Sequence, residues 1–280
     1  MGAEHSETLV SVVIVTYNSA DVLPACLDSL HGQGASAVIV VDNCSTDATV
    51  SEASSREGVQ LVLLERNAGF AAANNRGLAL VRTPYVLFLN PDTSYSSNAT
   101  VSHLTQFLQE HPRAAVVGPR LLRPNGEVQR YAFGADPSLP YLLRRGLARL
   151  LVHRPLHDWS TTTQRVDWVA GTCLLARSDA MRAVGGWDEG FFMYFEDADL
   201  CRRLRAHGWE VWYDPRVHTT HSGGQADYGD VRRRQVYYRS LLHYYRKHFG
   251  LLAWAVLGTV LRPYLWLTGM GRREVHENLS

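Results

Sequence analysis

The chain has 280 residues, 46% of them hydrophobic and 20% charged, enough apolar matter to bury a full core as one large α/β domain or a domain with an appendage. A formal net charge of +1, without a basic run interleaved with aromatics, gives no footprint for nucleic acid as a partner. Four cysteines with no CxxC pair fit neither a zinc site nor a disulfide framework and point to a reducing, cytoplasmic compartment, and MGAEHSETLVSVV lacks the succession expected of a secretion signal.

The first element is SVVIVTYNS, residues 11–19, a β-branched run that stops at the polar turn Thr16, Tyr17, Asn18, as a buried strand does. Leu23, Leu27 and Leu30 then recur at helical spacing before Gly32 and Gly34 end the helix. AVIVVDNCSTD repeats strand then polar turn, completing a βαβ unit. A third strand, VQLVLLERN, follows another short helix, and a fourth, YVLFLNPD, follows the helical stretch AAANNRGLALVRT. Strands alternating with helices predict a mostly parallel sheet covered on both faces, with a ligand beyond the carboxyl ends of its strands. Those ends carry Thr16 with Asn18, Asp42 with Asn43, Asn67, and Asn90 with Asp92; turn chemistry accounts for one or two of them, and a polar ligand site accounts for all four.

Neither GxGxxG nor GxxxxGK[ST] occurs, so a nucleotide would have to be held by side chains. Asp42 can accept from a base N–H, and Asn18, Asn67 or Asn74 can reach base or ribose. The diphosphate then needs a cation. Asp92, at the end of a buried strand in NPD, suits Mg²⁺ or Mn²⁺ shared with phosphate oxygens, with His221 of HTTHSGG as second protein ligand and His218 as the competing histidine. Further on, GGWDEGFFMYFEDADLCRRLRAHGW sets Glu196, Asp197 and Asp199 directly after aromatic residues. Carboxylates beside apolar surface are paired, metal-bound or in use, although acids in a first helical turn also complement the macrodipole.

Six pieces now stand in order: TYNS, VVDNCSTD, RNAGFAAANNRG, FLNPD, the long segment from WVAGTC to RRLRAHGW, and HTTHSGG. Together they resemble the family 2 glycosyltransferases, and more narrowly the bacterial rhamnosyltransferase-like branch, over about residues 11–250. The resemblance implies a GT-A fold (an open, mostly parallel twisted sheet with helices on both faces) and inversion at the anomeric carbon. It implies a nucleotide-sugar half over about 8–95 and an acceptor half over about 96–230, with 231–280 as a helical tail. Asp197 matches the catalytic base and Asp92 the metal position of the family's DxD motif, where Asn90 replaces the first Asp. Thr16, Tyr17, Asn18, Asp42, Asn43 and Asn90 match donor positions, and Asn67, Gly69 and Asn74 the loop closing over base and ribose. Trp187, Asp188 and Glu196 match the acceptor edge, the indole being either a stacking platform or core, and Asp199 and Arg203 match supporting residues.

The implied activity is metal-dependent transfer of a sugar, L-rhamnose from dTDP-rhamnose as the first choice, to a glycan or lipid-linked acceptor of cell-surface polysaccharide. A UDP-hexose or UDP-N-acetylhexosamine donor stays open, as does a non-catalytic glycan-binding relative. A nucleotidyltransferase would need a triphosphate cradle that is missing. Residues 139–155 mix leucines with Arg144, Arg145 and Arg149 like a basic amphipathic helix, or a plain surface helix of the acceptor half. The segment 231–280 holds nine Lys or Arg against two acids, plus LLAWAVLGTVLRPYLWLTG, which Arg262 and Pro263 interrupt. Both segments predict peripheral contact with the inner face of the membrane rather than a span, packing against protein being the alternative for the tail.

Overall fold

The computed structural model describes residues 9–142, 144, 160–223 and 230–267. Its first half alternates strictly: β1 (Val10–Thr16), α1 (Leu23–Ser29), β2 (Ala35–Asp42), α2 (Thr49–Ser54), β3 (Val59–Leu63), α3 (Phe70–Leu78) and β4 (Tyr85–Leu89). There follow β5 (Thr93–Ser94), α4 (Thr100–Glu110), β6 (Ala114–Leu122), β7 (Phe133–Gly134), β8 (Gln164–Arg165), β9 (Trp168–Val169) and β10 (Cys173–Arg177). The chain then runs through α5 (Ser178–Ala183), α6 (Glu196–Ala206), β11 (Glu210–His221), α7 (Asp230–His248) and α8 (Gly250–Leu267).

The main sheet has the order β3-β2-β1-β4-β10-β6-β11-β5, with β8 paired to β11. β3, β2, β1 and β4 are parallel, as the alternation predicts. β10 runs antiparallel to both β4 and β6, so the sheet turns mixed in its centre before β6 and β11 resume parallel pairing. β1 and β4 are buried on both faces, which is why they read as unbroken apolar runs rather than alternating ones. Helices α1 to α4 cover the sheet with Leu23, Cys26, Leu104, Phe107 and Leu108, all part of one large core.

A second, smaller cluster binds the last two helices to the body: Phe191, Ala198, Leu241, Tyr244, Tyr245 and Leu257, with Leu139, Leu142, Trp168 and Phe195 against it. The helix α8 runs on through Pro263, where the sequence expects an interruption. No helix among the described residues is long and apolar enough to cross a membrane. Most of the 139–155 segment lies outside the described residues.

Candidate active site

The carboxyl ends of β1, β2 and β4 open into a cavity of about 780 Å³, closed on the other side by residues 129–142, 168–172, 192–198 and the start of α7. At one end, Asp92 and His221 meet. The short pairing of β5 with β11 sets His221 opposite Thr93, and the Ser222 N–H donates to the Asp92 carbonyl at 2.9 Å. His221 Nε2 consequently lies 3.1 Å from Asp92 Oδ1. Its Nδ1 lies 2.8 Å from Gln129 Oε1. With Nδ1–H donated to that oxygen, Nε2 turns a lone pair towards the carboxylate, an arrangement that suits a cation between them. His218, the competing histidine, instead contacts Ser96 Oγ at 3.2 Å.

At the other end α6 starts with Glu196 and Asp197. Two bulky residues before it, Tyr194 (φ 71°) and Phe195 (φ 67°), hold left-handed backbone, a conformation that costs about 1–3 kcal/mol each and gathers at working sites. This turn aims the first helical residues at the cavity. Asp197 Oδ1 accepts from its neighbour Ala198 N–H at 2.8 Å and Oδ2 from Gly171 N–H at 3.3 Å. Burial raises the Asp197 carboxyl above its ordinary range, and these two N–H groups offset part of that rise. Glu196 Oε2 is buried with no hydrogen-bond partner. Burial first, and the charge of Asp197 second, push Glu196 well above the usual carboxylate range.

Among the expected donor residues, Tyr17, Asn43, Asn67, Gly69 and Asn90 line the cavity. The others act one layer back. Asp42 is 2% exposed and accepts from Thr16 Oγ1 (3.0 Å), Ser45 N–H (2.9 Å) and Ser45 Oγ (2.5 Å), so its carboxylate is spent on ordering the β2 turn rather than on a base N–H. Asn18 Oδ1 accepts from Thr46 N–H at 2.8 Å, and Asn43 Oδ1 from Ala68 N–H at 2.7 Å, which ties the β2 turn to the 67–69 loop. Asn74 faces into α3, donating to the Phe70 carbonyl at 2.9 Å; it is buried and does not reach the cavity, contrary to expectation.

Trp187 also departs from expectation as a stacking platform. It is 2% exposed, edge-on to Phe70 and Phe88 with centroids 5.6 and 5.0 Å away, and so offers no face to a sugar. Asp188 stands away from the cavity and pairs with Lys247 Nζ at 2.5 Å. Arg203 donates to Asp199 at 2.7 Å and to the Val184 carbonyl at 2.7 Å, which makes it a strut of α6 rather than a phosphate ligand. Sequence reasoning missed Gln129, Trp168, Arg233, Tyr237 and Tyr238, which line the cavity. Trp168, half-buried and pinned by its Nε1–H to the Ala135 carbonyl at 2.9 Å, is the tryptophan that lines the cavity in place of Trp187.

The comparisons bear on the family and the fold. The model of glycosyl transferase family 2 matches residues 11–159. The chain belongs to that family. It is 30% identical, over 96% of either chain, to an N-acetylglucosaminyl-diphospho-decaprenol L-rhamnosyltransferase of Mycobacterium tuberculosis. It is 26% identical to the rhamnosyltransferase WbbL of Escherichia coli, over 76% of this chain and 83% of that one. Among solved structures it resembles a mannosyltransferase from Pyrobaculum calidifontis, determined with GDP-Man and Mn²⁺ (TM-score 0.57, 17% identity, 94% of this chain and 83% of that one). It also resembles the 1–349 fragment of TarS from S. aureus (TM-score 0.54, 18% identity, 85% and 73% covered). The fold is therefore GT-A, and this family 2 member is a rhamnosyltransferase-like glycosyltransferase of polysaccharide synthesis.

Proposed function

We propose that the chain transfers L-rhamnose from a dTDP-linked donor, with inversion, to a saccharide carried on a lipid diphosphate at the inner face of the membrane. The observation that carries this reading is the end-to-end match, 96% of both chains, with a relative whose name specifies that donor sugar and that class of acceptor. A match of that extent includes α6, β11 and α7, the elements on the acceptor side of the cavity, and not only the nucleotide half.

The residues present fit a divalent cation. Among the described residues no three His, Cys, Asp or Glu side chains converge, so Asp92 and His221 would be its protein ligands, with diphosphate oxygens and water completing the shell. When bound, such an ion neutralises charge developing on the departing diphosphate. The chain itself performs the rest. Tyr17, Asn43, Asn67 and Asn90 border the nucleotide half. Asp197, held by Ala198 and Gly171, removes the proton of the acceptor hydroxyl as that oxygen attacks the anomeric carbon opposite the leaving group. One carboxylate suffices, because the leaving diphosphate needs no protonation.

The test is transfer from dTDP-rhamnose, with UDP-glucose and UDP-N-acetylglucosamine as rivals, onto a lipid-diphosphate N-acetylglucosamine, with the anomeric configuration of the product read by NMR. Asp197→Asn should lower kcat about a hundredfold or more and leave the nucleotide-induced thermal shift in place. Preference for a UDP-sugar, a retained configuration or an undiminished Asp197→Asn rate would each overturn the corresponding part.

A further inference from the structure

The helix α7 turns one face towards the cavity. Arg233, Tyr237 and Tyr238 on α7 line the same cavity as Asp197, and positions 233 and 237 lie one turn apart on one face. The pose is fixed along the helix. Ser240 Oγ donates to the Met193 carbonyl at 2.7 Å, and the Tyr237 ring sits 5.7 Å from Tyr194 and 5.1 Å from Phe195, centroid to centroid. Tyr238, Leu142 and Trp168 belong both to the cavity wall and to the apolar cluster that includes Leu257 and Leu261 of α8. One wall therefore grades from a guanidinium, through aromatic rings, to the apolar ground of the last helix.

The charge pattern says what this wall receives. Asp92, Glu196 and Asp197 line the cavity, and among its described lining residues the Lys or Arg side chains are Arg130 and Arg233. Arg130 follows Gln129, whose side chain holds His221; Arg233 lies one turn before Tyr237, whose ring packs on Phe195 ahead of the base. An acceptor must approach Asp197 from the end where α6 starts, since the other holds the Asp92–His221 pair. A diphosphate arriving past Glu196 and Asp197 needs a cation there, and the planar fork of arginine matches phosphate oxygens.

We infer that this wall of α7 is the acceptor subsite, in which Arg233 pairs with the diphosphate of the lipid-linked saccharide while Trp168, Tyr237 and Tyr238 hold its sugar and the first carbons of its lipid. The inference rests on the lipid-linked acceptor proposed above and can be tested apart from turnover. Farnesyl diphosphate is titrated into the full chain already saturated with dTDP and Mn²⁺. Arg233→Gln should weaken its binding about tenfold or more, and Arg233→Lys should recover part of that loss. Farnesol, with the same chain and no charge, should bind all three proteins alike, and the dTDP-induced thermal shift should not move. Absent binding of farnesyl diphosphate to the unaltered chain, equal binding by Arg233→Gln, or a lost dTDP shift in that variant overturns the assignment. If sugar transfer fails while Arg233-dependent binding holds, the activity reading falls and the subsite stands.

Discussion

Glu196 and Asp197 are adjacent in the chain, and burial raises both carboxyls. Asp197 must be ionised to take a proton, and burial raises its carboxyl, so the acid limb of kcat/KM should lie above the ordinary aspartate range of about pH 4, with activity rising as pH rises through it. A pH–rate profile whose acid limb sits at or below that value would contradict the assignment. Glu196 is pushed higher still and keeps its proton in the folded chain where the unfolded chain has released it. Stability therefore falls as pH climbs from the ordinary glutamate range, about pH 4, towards the raised folded value. Glu196→Gln removes that liability and should stabilise the protein by about 1–3 kcal/mol at neutral pH, read as a higher Tm with reduced turnover. Spacing and chemistry pick out Asp92, His221 and the acidic cluster Glu196, Asp197 and Asp199, the family resemblance selects Asp197 among these, and the structure gathers Asp92, His221 and Asp197 at one cavity. Gln129 could not be found that way, because its sequence neighbourhood, NGEVQRY, is that of any surface turn. The left-handed backbone at Tyr194 and Phe195 was equally hidden, since aromatic side chains disfavour it and only tertiary contacts enforce it.

Asp199 is the point at which two elements become one unit. Fully buried on α6, it accepts from Arg203 at 2.7 Å, from Lys247 at 2.6 Å and from His248 at 2.7 Å, the last two on α7. Burial opposes its charge, but the His248 hydrogen bond, the Arg203 charge and the Lys247 bond prevail and lower it to about 2. A depressed carboxyl contributes stability that is present above the unfolded value, about pH 4, and is lost as pH falls through about 2. Asp199→Ala should cost about 3–5 kcal/mol by removing the buried carboxylate that Arg203, Lys247 and His248 share, with faster amide exchange along α7 as the local sign. Exchange unchanged in α7 would show that the apolar cluster alone holds it. The strands β1 to β4 were legible because β-branched runs separated by helical spacing describe a parallel sheet directly. The placement of β10 between β4 and β6 was not, since CLLAR says nothing about running antiparallel to distant partners. The union of α7 with α6 escaped for a like reason: a tail rich in arginine reads as solvated or lipid-facing until its aspartate partner is seen.

On the scale of the whole molecule, α8 shows an apolar face that the second cluster does not cover: Leu252 is 81% exposed, Trp266 77% and Val260 69%. Arg232, Arg234, Arg239 and Arg246 of α7 are exposed as well. Exposed apolar and basic side chains suit the interface of an anionic bilayer. The full chain should pellet with phosphatidylglycerol vesicles more than with phosphatidylcholine ones, and salt should weaken the binding only in part. Leu252→Glu with Val260→Glu should release it without disturbing the dTDP-induced thermal shift, whereas equal recovery in the supernatant with both lipids would count against a membrane role for this face. Within the body, the donor and acceptor sides meet at Gly69. A Cβ there would stand 2.6 Å from the Phe192 carbonyl oxygen, to which the Phe70 N–H donates at 2.7 Å. Phe192 lies two residues before the left-handed pair that aims Asp197. A shift of the loop at Gly69 would therefore press on the turn that carries the base. The close approach of two backbones thus ties the loop on one side of the cavity to the seat of Asp197 on the other.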